Sequence, residues 1–340
     1  MTQAKVPTQF FGHKNIQNLI IRQLDSGTLP HALLFSGPAG VGKVTLATLL
    51  ARAQLCEAQQ KEDKLMYRAC GECENCRMFR SGNHPDFLRI DCTEKTSNTE
   101  AVRELLHVLH LKPYTGSSRT VVLESADYLP NQALNVLLKA IEEPHSGTFF
   151  VLTTSNRSRL LPTIVSRCQL YTFSALEDLD LSSIIEEQFS DLLGESTPEE
   201  RRLLVELSDG SLDRFLHLRD KLNLWKQIRA FITACMEQKL GIAADAIVLA
   251  RELGDKEKQS PSIIFELLVL ACRRTLKEIS NDTTRAICSV AIINTLEADR
   301  LVRERNLNPT YTLQLVLSEL ANHSRDPLWE VPDGLSQYLS

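Results

Sequence analysis

A glycine-rich segment that ends in a lysine is the first part of this sequence whose residue types could do chemistry. Gly37, Gly42 and Lys43 form the pattern G-x-x-x-x-G-K, and Gly40 lies inside it. Glycines let such a loop curl until its N–H groups point inward, and the lysine and the N-terminus of a following helix attract phosphate. A predicted strand precedes the segment and a predicted helix follows it. The pattern therefore predicts a phosphate-binding loop (the P-loop) and leaves the binding of ATP or ADP open.

The residue after the lysine changes the expected metal chemistry. The motif normally has Ser or Thr at this position, where its hydroxyl binds Mg²⁺, and this chain has Val44. Thr45 does not replace that hydroxyl, because one step along a helix turns a side chain by about 100°. Thr45 remains a candidate nucleotide contact, whereas Mg²⁺ binding is predicted to be impaired.

A second motif follows the predicted strand 120–123. An active P-loop ATPase has Asp-Glu here, where the Asp orients the metal and the Glu polarises water, but this chain has Glu124 and Ser125. Ser125 cannot act as a general base, and such a loss costs about 10²–10⁴ in rate. Glu124 can still reach a metal through a water, and Asp127 is interpreted as the start of a turn. The two motifs together favour a site that binds nucleotide weakly or structurally over one that hydrolyses it.

Four of the nine cysteines are clustered as C-x13-C-x2-C-x2-C, at Cys56, Cys70, Cys73 and Cys76. Gaps of two residues let thiolates converge on one tetrahedral ion, and four cysteines are typical of a closed structural Zn²⁺ site. The alternative is a group of unrelated thiols. His84, a few residues downstream, is interpreted as a strand-entry residue rather than a ligand. The scattered cysteines are expected to be small buried hydrophobes.

The elements that must position these residues follow an α/β pattern in the first half of the chain. Strands are predicted at 31–36, 86–90, 120–123 and 148–152, with helices from Lys43, at 99–109 and at 131–143. Such alternation predicts a mostly parallel sheet covered by helices. After about residue 174 only helices are predicted, at 174–193, 197–208, from Ser211, and then at 261–278, 283–305 and 310–322.

Length and composition narrow the class of protein. A chain of 340 residues with 43% hydrophobic and 24% charged residues is typical of a globular protein with two or three domains. It has no uncharged apolar run of eighteen residues, and its first residues lack a secretory apolar segment, so a cytoplasmic protein without a membrane span is expected. The net charge of −5 argues against a chain that holds DNA alone through a basic face.

Longer segments around these motifs resemble the bacterial clamp-loader family of AAA+ proteins, the gamma/tau and delta-prime subunits of DNA polymerase III. The resemblance runs from about residue 9 to 175. Its most specific part is the cysteine module placed directly after the P-loop helix. The remaining similar segments are 84–86, 133–144, a sensor-1 strand at 150–154 that adds Thr154 to the candidate nucleotide-binding residues, and 160–168, which contains Ser-Arg-Cys.

The resemblance implies an architecture and a role for one arginine. It implies an AAA+ P-loop domain at 1–175 with a zinc module at 56–76, a helical lid at 176–221, and an all-α collar at 222–340 that forms oligomers. In the family, the arginine of Ser-Arg-Cys acts on the nucleotide site of the adjacent subunit, which assigns Arg167 as a trans arginine finger. A guanidinium suits this role because it makes bidentate contacts with a γ-phosphate.

Departures from the motor subunit indicate the delta-prime type. Besides the two altered motifs, the family's lid arginine (sensor 2) is replaced by Asp213, and Arg214 comes one residue late. The resemblance then implies a subunit that assists ATP-dependent loading of the sliding clamp onto primed DNA, with weak or absent ATPase activity and no polymerase site of its own. The implied partners are gamma/tau and delta subunits, the clamp, and primer–template DNA within the complex.

Two other functions stay open. One is a gamma/tau-like motor subunit that hydrolyses ATP itself, since Lys43 is intact. The other is a zinc-containing nucleic-acid-binding protein with a vestigial P-loop. The acidic balance and the lack of an aromatic and basic stripe weigh against this second alternative.

Overall fold

The chain divides into two compact units, Met1–Leu216 and His217–Ser340. The computed structural model describes residues 10–58, 62, 64–93, 98–109, 111–115, 118–192, 194, 196–237, 242–256, 261–278, 281–323 and 328. The division into three domains at 175/176 and 221/222 stays a prediction.

A parallel sheet of five described strands lies in the first unit. The strands are Ala32–Ser36 (β1), Phe87–Asp91 (β2), Arg119–Glu124 (β3), Thr148–Thr154 (β4) and Gln169–Thr172 (β5), in the order β2-β3-β4-β1-β5. Since all neighbouring pairs are parallel, the carboxyl ends of the strands meet at one edge. Ser36 at the end of β1 is in register with Thr154 at the end of β4. The P-loop therefore starts beside the end of β4.

The four predicted strands are confirmed, and β5 was not predicted. β5 has four residues, with only Tyr171 fully buried, and it pairs with β1 at the edge of the sheet. A short edge strand of this kind has no apolar run by which the sequence could reveal it. Its position is fixed instead by pairing with β1, a long-range interaction.

Helices cover the sheet and continue to the end of the first unit. They are Lys14–Asp25 (α1), Lys43–Leu55 (α2), Glu74–Arg80 (α3), Asn98–Leu109 (α4), Asn131–Glu142 (α5), Pro162–Val165 (α6), Asp178–Gln188 (α7), Pro198–Leu207 (α8) and Leu212–Arg219 (α9), the last of which crosses the boundary between the units. The helix predicted over 174–193 is wrong at its start. Leu176 is held outside the helix because its N–H donates to the Gly210 carbonyl oxygen at 3.0 Å.

Alternate residues of the central strands build the core on one face of the sheet. Leu34, Leu123 and Leu152 are fully buried there, and they pack with residues of α4 and α5. Helix α2 is buried along most of its length, and its Gln54 side chain accepts a hydrogen bond from the Thr120 hydroxyl at 3.2 Å. The central strands β1, β3 and β4 are thus buried along most of their length, which explains their nearly continuous apolar sequences.

The second unit is helical in its described part. Its helices are Leu222–Met236 (α10), Ile242–Lys256 (α11), Ser262–Glu278 (α12), Asp282–Arg305 (α13) and Pro309–Ala321 (α14). The Asn308 side chain caps α14 by accepting the N–H groups of Thr310 and Tyr311, at 3.0 and 3.2 Å. A described helix that combines the length and the apolar character needed to cross a bilayer is not found in either unit.

A buried ion pair fixes the amino edge of the sheet. Asp86, which is 0% exposed, accepts hydrogen bonds from the N–H groups of Tyr114 and Thr115 and lies 3.3 Å from the Arg119 guanidinium. Arg119 also donates to the carbonyl oxygen of Val108 at 2.6 Å. Burial alone would raise the pKa of Asp86, but these donors and the arginine charge hold it below its usual value.

Replacing Asp86 with Ala is expected to destabilise the first unit by about 3–5 kcal/mol, since it leaves Arg119 buried without its carboxylate. Urea unfolding followed by circular dichroism measures this loss. Asp191→Ala removes an exposed carboxylate and serves as the matched control. Because the pKa of Asp86 is lowered, its contribution is present at neutral pH and is lost only as the pH falls through that lowered value. Equal stability of the two variants would contradict the role of the pair.

Candidate functional site

The P-loop connects β1 to α2 at the carboxyl edge of the sheet. Gly42 is the N-cap of α2 with φ +94°, a conformation that glycine adopts at little cost. The Gly37 N–H donates to the Thr154 carbonyl oxygen at 3.2 Å, so the loop is tied to the end of β4. The structure therefore places Thr154, a candidate from the sequence, next to the loop. Its role toward a nucleotide stays a prediction.

Lys43 lies inside the loop rather than in solvent. The residue is only 8% exposed, and its Nζ donates to the carbonyl oxygens of Gly37, at 2.7 Å, and of Pro38. Burial lowers the pKa of Lys43, while the charges of Asp213 and Asp127 act in the opposite direction, and the net result is a pKa below the ordinary value. The lysine is thus held by acceptors and by acidic residues of its own chain.

The first turn of α2 carries the two residues that follow the lysine. Val44 and Thr45 are both half-buried there. Since consecutive helical side chains point about 100° apart, Thr45 does not present its hydroxyl where the motif presents one. The turn therefore lacks the usual hydroxyl for Mg²⁺, while impaired Mg²⁺ binding and a nucleotide contact by Thr45 both stay predictions.

Glu124, at the end of β3, is engaged by an arginine. Its Oε1 accepts the Nε–H of Arg89 at 2.6 Å and lies 2.5 Å from the second guanidinium nitrogen. Arg89 belongs to the neighbouring strand β2, where it is in register with Val122, two residues before Glu124. The carboxylate that was expected to reach a metal through a water is thus already paired with a cation.

The residues after Glu124 form a tight turn. Ser125 has φ +50°, and its N–H donates to the Thr153 hydroxyl at 3.0 Å. Asp127 is buried in a 3-10 turn, as the sequence interpretation expected, and its carboxylate accepts the Ser155 N–H and hydroxyl at 3.4 and 3.3 Å. Asp127 also acts on Lys43 through its charge, a relation that the sequence did not reveal.

The start of α9 lies directly on the P-loop. The Leu212 N–H donates to the Gly40 carbonyl oxygen at 2.9 Å. A Cβ atom added at Gly40 would meet the Ser211 Oγ at 2.5 Å and the Asp213 backbone nitrogen at 2.6 Å. Such a close approach explains why glycine occupies this position. It also places Asp213, rather than an arginine, over the loop.

Arg167 is exposed and is held by its own chain. One terminal nitrogen lies 2.6 Å from the Glu142 carboxylate at the end of α5, and the other donates to the Thr163 carbonyl oxygen of α6 at 3.1 Å. Both side chains of the ion pair are well exposed, and such pairs contribute at most about 1 kcal/mol. Arg167 is therefore available at the surface, and its described contacts are with α5 and α6 rather than with the P-loop.

The four clustered cysteines converge. Their sulfur atoms all lie within 4.8 Å of one another, with 4.0 Å between Cys56 and Cys73 and 3.9 Å between Cys70 and Cys76. Four sulfurs bound to one ion at 2.3 Å in a tetrahedron are about 3.8 Å apart, so the set fits a tetrahedral metal. The backbone N–H groups of Cys73 and Glu72 lower the pKa of Cys70 to about 6, whereas burial raises the pKa of Cys56 and raises that of Cys76 to about 12. Without an ion, Cys70 is thus the cysteine of these three that most favours the thiolate form that binds metals.

His84 is not part of this cluster. It is buried, its Nδ1 accepts the Asp86 N–H at 3.1 Å, and its ring packs near that of Phe79. This agrees with the interpretation of His84 as a structural residue before β2.

The cysteine segment and the P-loop are both connected to α1. Asp25 at the end of α1 pairs with the buried Arg68, at 2.9 Å for one of the two contacts. His13 at the start of α1 donates to the Val41 carbonyl oxygen at 2.9 Å and packs on the ring of Phe173. His13 also lines an open cleft of about 450 Å³, together with Gly12, Lys14, Thr172, Ser174 and Asp180.

Sequence reasoning missed two members of the site. Arg89 is a charged residue between the apolar residues Leu88 and Ile90 of β2, which was a signal, but its partner Glu124 follows only from the pairing of β2 with β3. The sequence identified Asp213 as a departure from the lid arginine position. Its close approach to Gly40, however, depends on how α9 packs on the P-loop. Both contacts are long-range, and no local pattern encodes them.

A P-loop that follows the first strand of a parallel α/β sheet, with a helical segment resting on the loop, defines an AAA+-like protein. A family model described as DNA polymerase III, delta subunit, matches residues 12–177. Over these residues, just under half of its length, the chain is similar to this family of DNA polymerase III subunits. The resemblance inferred from the motifs is thereby confirmed.

Named relatives come from two kinds of subunit. The tau/gamma subunit of Haemophilus influenzae is 33% identical over 64% of this chain and 30% of the relative. The delta-prime subunits of Pseudomonas aeruginosa and Escherichia coli are 39% and 35% identical, over 41% and 45% of each chain. The chain thus covers about a third of the length of the tau/gamma relative and less than half of these delta-prime relatives.

Among solved structures, a gamma-subunit-related protein from Thermotoga maritima aligns with 92% of this chain and 99% of its own. The sequence identity is 16% and the TM-score is 0.47. A likeness of this degree assigns no function.

The contact between α9 and the P-loop is tested by Gly40→Ala. Gly40 (φ +70°) and Gly27 (φ +66°) share a strained backbone for alanine, but only Gly40 has neighbours within 4 Å of an added Cβ. The backbone cost of about 1–3 kcal/mol applies to both variants. Gly40→Ala is expected to lose at least about 1 kcal/mol more than Gly27→Ala in urea unfolding, because α9 must move away. If the two variants lose the same stability, α9 does not rest on the loop in solution.

Proposed function

We propose that this chain is a delta-prime-type subunit of a DNA polymerase III clamp loader. In this role it assists the ATP-dependent loading of a sliding clamp onto primed DNA. The observation that carries the proposal is the state of the ATPase residues at the carboxyl edge of the sheet. The base position is Ser125, whose N–H is bound to Thr153, and the metal-side carboxylate of Glu124 is paired with Arg89. A chain with such a pocket is better suited to assist ATP hydrolysis by another subunit of a complex than to hydrolyse ATP itself.

The proposal includes a trans role for Arg167. Its guanidinium is exposed, and its described partners are the exposed Glu142 carboxylate, the Thr163 carbonyl oxygen and the Ser166 hydroxyl, so it can turn toward a neighbouring subunit at little cost. A permanently charged, planar guanidinium stabilises the charge on a transferring γ-phosphate. The neighbouring ATPase subunit would be of the gamma/tau type, and it would supply the nucleotide.

The second unit is proposed to form a collar with the other subunits, which include delta. Two apolar side chains on one face of α14, Tyr311 and Leu315, are 70% and 54% exposed, and exposed apolar faces are typical of interfaces. The clamp and primer–template DNA are proposed to contact the complex rather than this acidic chain alone.

The cysteine cluster is proposed to hold a structural Zn²⁺. Four sulfurs at the spacing of a tetrahedral site use all four coordination positions and leave none for a substrate. The ion would link Cys56, which follows α2, to the segment from Cys70 to Cys76 that enters α3.

A gamma/tau-like motor is the second candidate. It is favoured by the intact Lys43 and by the similarity to a tau/gamma subunit over 216 residues. Purified protein separates the two candidates: a motor hydrolyses ATP alone and responds to clamp and DNA, whereas a delta-prime-type subunit shows no turnover that depends on Lys43.

Replacing Arg167 with Ala is expected to reduce clamp loading by the reconstituted complex. Turnover at the neighbouring site should fall by about 10³-fold, the lower range for loss of an arginine finger. Steady-state ATP hydrolysis and clamp loading on primed DNA are the measurements.

The control for this experiment is Arg202→Ala, which removes an exposed arginine from α8. Circular dichroism should show that both variants remain folded. Loading at the wild-type rate by a folded Arg167→Ala complex would remove the trans role.

Changing Cys73 to Ser is expected to lower zinc affinity by at least about tenfold, since it removes a ligand. Metal analysis after dialysis should find one zinc per wild-type chain and little in the variant. Cys235→Ala, at a buried cysteine of α10, should retain the metal. Wild-type protein purified without zinc and unable to bind added zinc would end this proposal.

A further inference from the structure

The pocket around Lys43 contains acidic side chains where a nucleotide would bring phosphate. Asp213 lies on the P-loop, with its backbone nitrogen 2.6 Å and its Cβ 2.9 Å from the position of a Cβ at Gly40. Asp127 is buried after β3, and both carboxylates act on Lys43 through their charges. A buried ammonium requires a compensating charge, and here the chain provides it.

The position of Asp213 is fixed by backbone contacts. The Leu212 N–H donates to the Gly40 carbonyl oxygen at 2.9 Å, and the Ser211 hydroxyl accepts the Arg214 N–H at 3.2 Å. These bonds anchor the first turn of α9, which carries Asp213, at the loop. The backbone of Asp213 therefore stays at the loop unless α9 moves, and a phosphate that approached Lys43 would meet the negative charge of this residue.

On the metal side of the pocket, a positively charged side chain lies where a metal ion would bind. Magnesium would normally give Glu124 a cationic partner, and Arg89 already does so through two contacts of 2.6 and 2.5 Å to one carboxylate oxygen. Glu124 is 8% exposed, whereas the Arg89 side chain is 33% exposed, so water screens this pair in part. A Mg²⁺ ion would have to displace Arg89.

We infer that Asp213 determines the ligand specificity of the P-loop by taking the place of the nucleotide's negative charge, with Arg89 in the place of its magnesium. The ligands excluded are nucleoside triphosphates and diphosphates with Mg²⁺. The lid helix α9 is thereby held on the loop without a ligand. This inference goes beyond the proposed function, which leaves nucleotide binding by this chain open.

The test is the affinity of the purified full-length chain for fluorescent ADP and ATP analogues, with Mg²⁺ and with EDTA. Wild-type protein is expected to bind both weakly and equally with and without Mg²⁺. Asp213→Asn, which keeps the shape and removes the charge, should bind at least about tenfold more tightly, and Asp213→Arg more tightly still. Arg89→Gln in the Asp213→Asn background should make binding depend on Mg²⁺.

Asp282→Asn, in the first turn of α13, makes the same change of charge at an exposed residue and should bind as the wild type does. Tight Mg²⁺-dependent binding by wild-type protein overturns the inference, as does wild-type affinity in a folded Asp213→Asn variant. If Asp213→Arg does not fold, Asp213→Asn alone decides the question. The Arg167→Ala experiment in the reconstituted complex is independent of these results, so the trans role and this inference can fail separately.

Discussion

The burial of a single ammonium group is the constraint on which the rest of the first unit depends. Lys43 is almost fully withdrawn from water, and a buried cation is stable only when it is hydrogen-bonded and paired. The carbonyl oxygens of Gly37 and Pro38 supply the first requirement. In place of a direct ion pair, the charges of Asp127, at the carboxyl edge of the sheet, and of Asp213, in α9, act on the lysine. The fold thus assembles one charge balance from segments that are far apart in the sequence.

This charge balance suits a supporting subunit. An ATPase pocket alternates between states because its charges are incomplete until nucleotide and metal arrive. Here Glu124 is paired with Arg89, and the P-loop is in contact with α9. A nucleotide or metal ion would therefore add few new charge interactions to this pocket. Arg167 has the opposite character, since its partner Glu142 is exposed and easily replaced. Within the proposed complex, the chain would contribute a P-loop pocket whose charges are already balanced, together with the exposed guanidinium of Arg167.

The sequence was sufficient for those parts of the fold that are encoded locally. The P-loop, four strands and the convergence of four cysteines follow from spacing and residue type, and the structure has them all. The helix beginning at residue 174 was wrong, because the bond between Leu176 and Gly210 overrides the helical pattern. Strand β5 was missed, since it is short and lies at an edge.

The candidate site was predictable in its residues but not in its pairings. The sequence showed that Asp213 replaces an arginine and that Glu124 replaces an aspartate, yet it did not show which cation or loop each would contact. The pairing of Arg89 with Glu124 across neighbouring strands and the contact of α9 with the P-loop both depend on tertiary packing. The buried pair of Asp86 and Arg119 escaped prediction for the same reason, although both residues are visible as charges beside strands.

Helix α1 has a consequence for the mechanics of the first unit. Its twelve residues form a rod about 18 Å long. At its C-terminal end, Asp25 pairs with Arg68, which lies two residues before Cys70 of the cysteine cluster. At its N-terminal end, His13 donates a hydrogen bond to the Val41 carbonyl oxygen of the P-loop. Two sites that share no side chain are therefore connected through one regular helix of fixed length rather than through a loop.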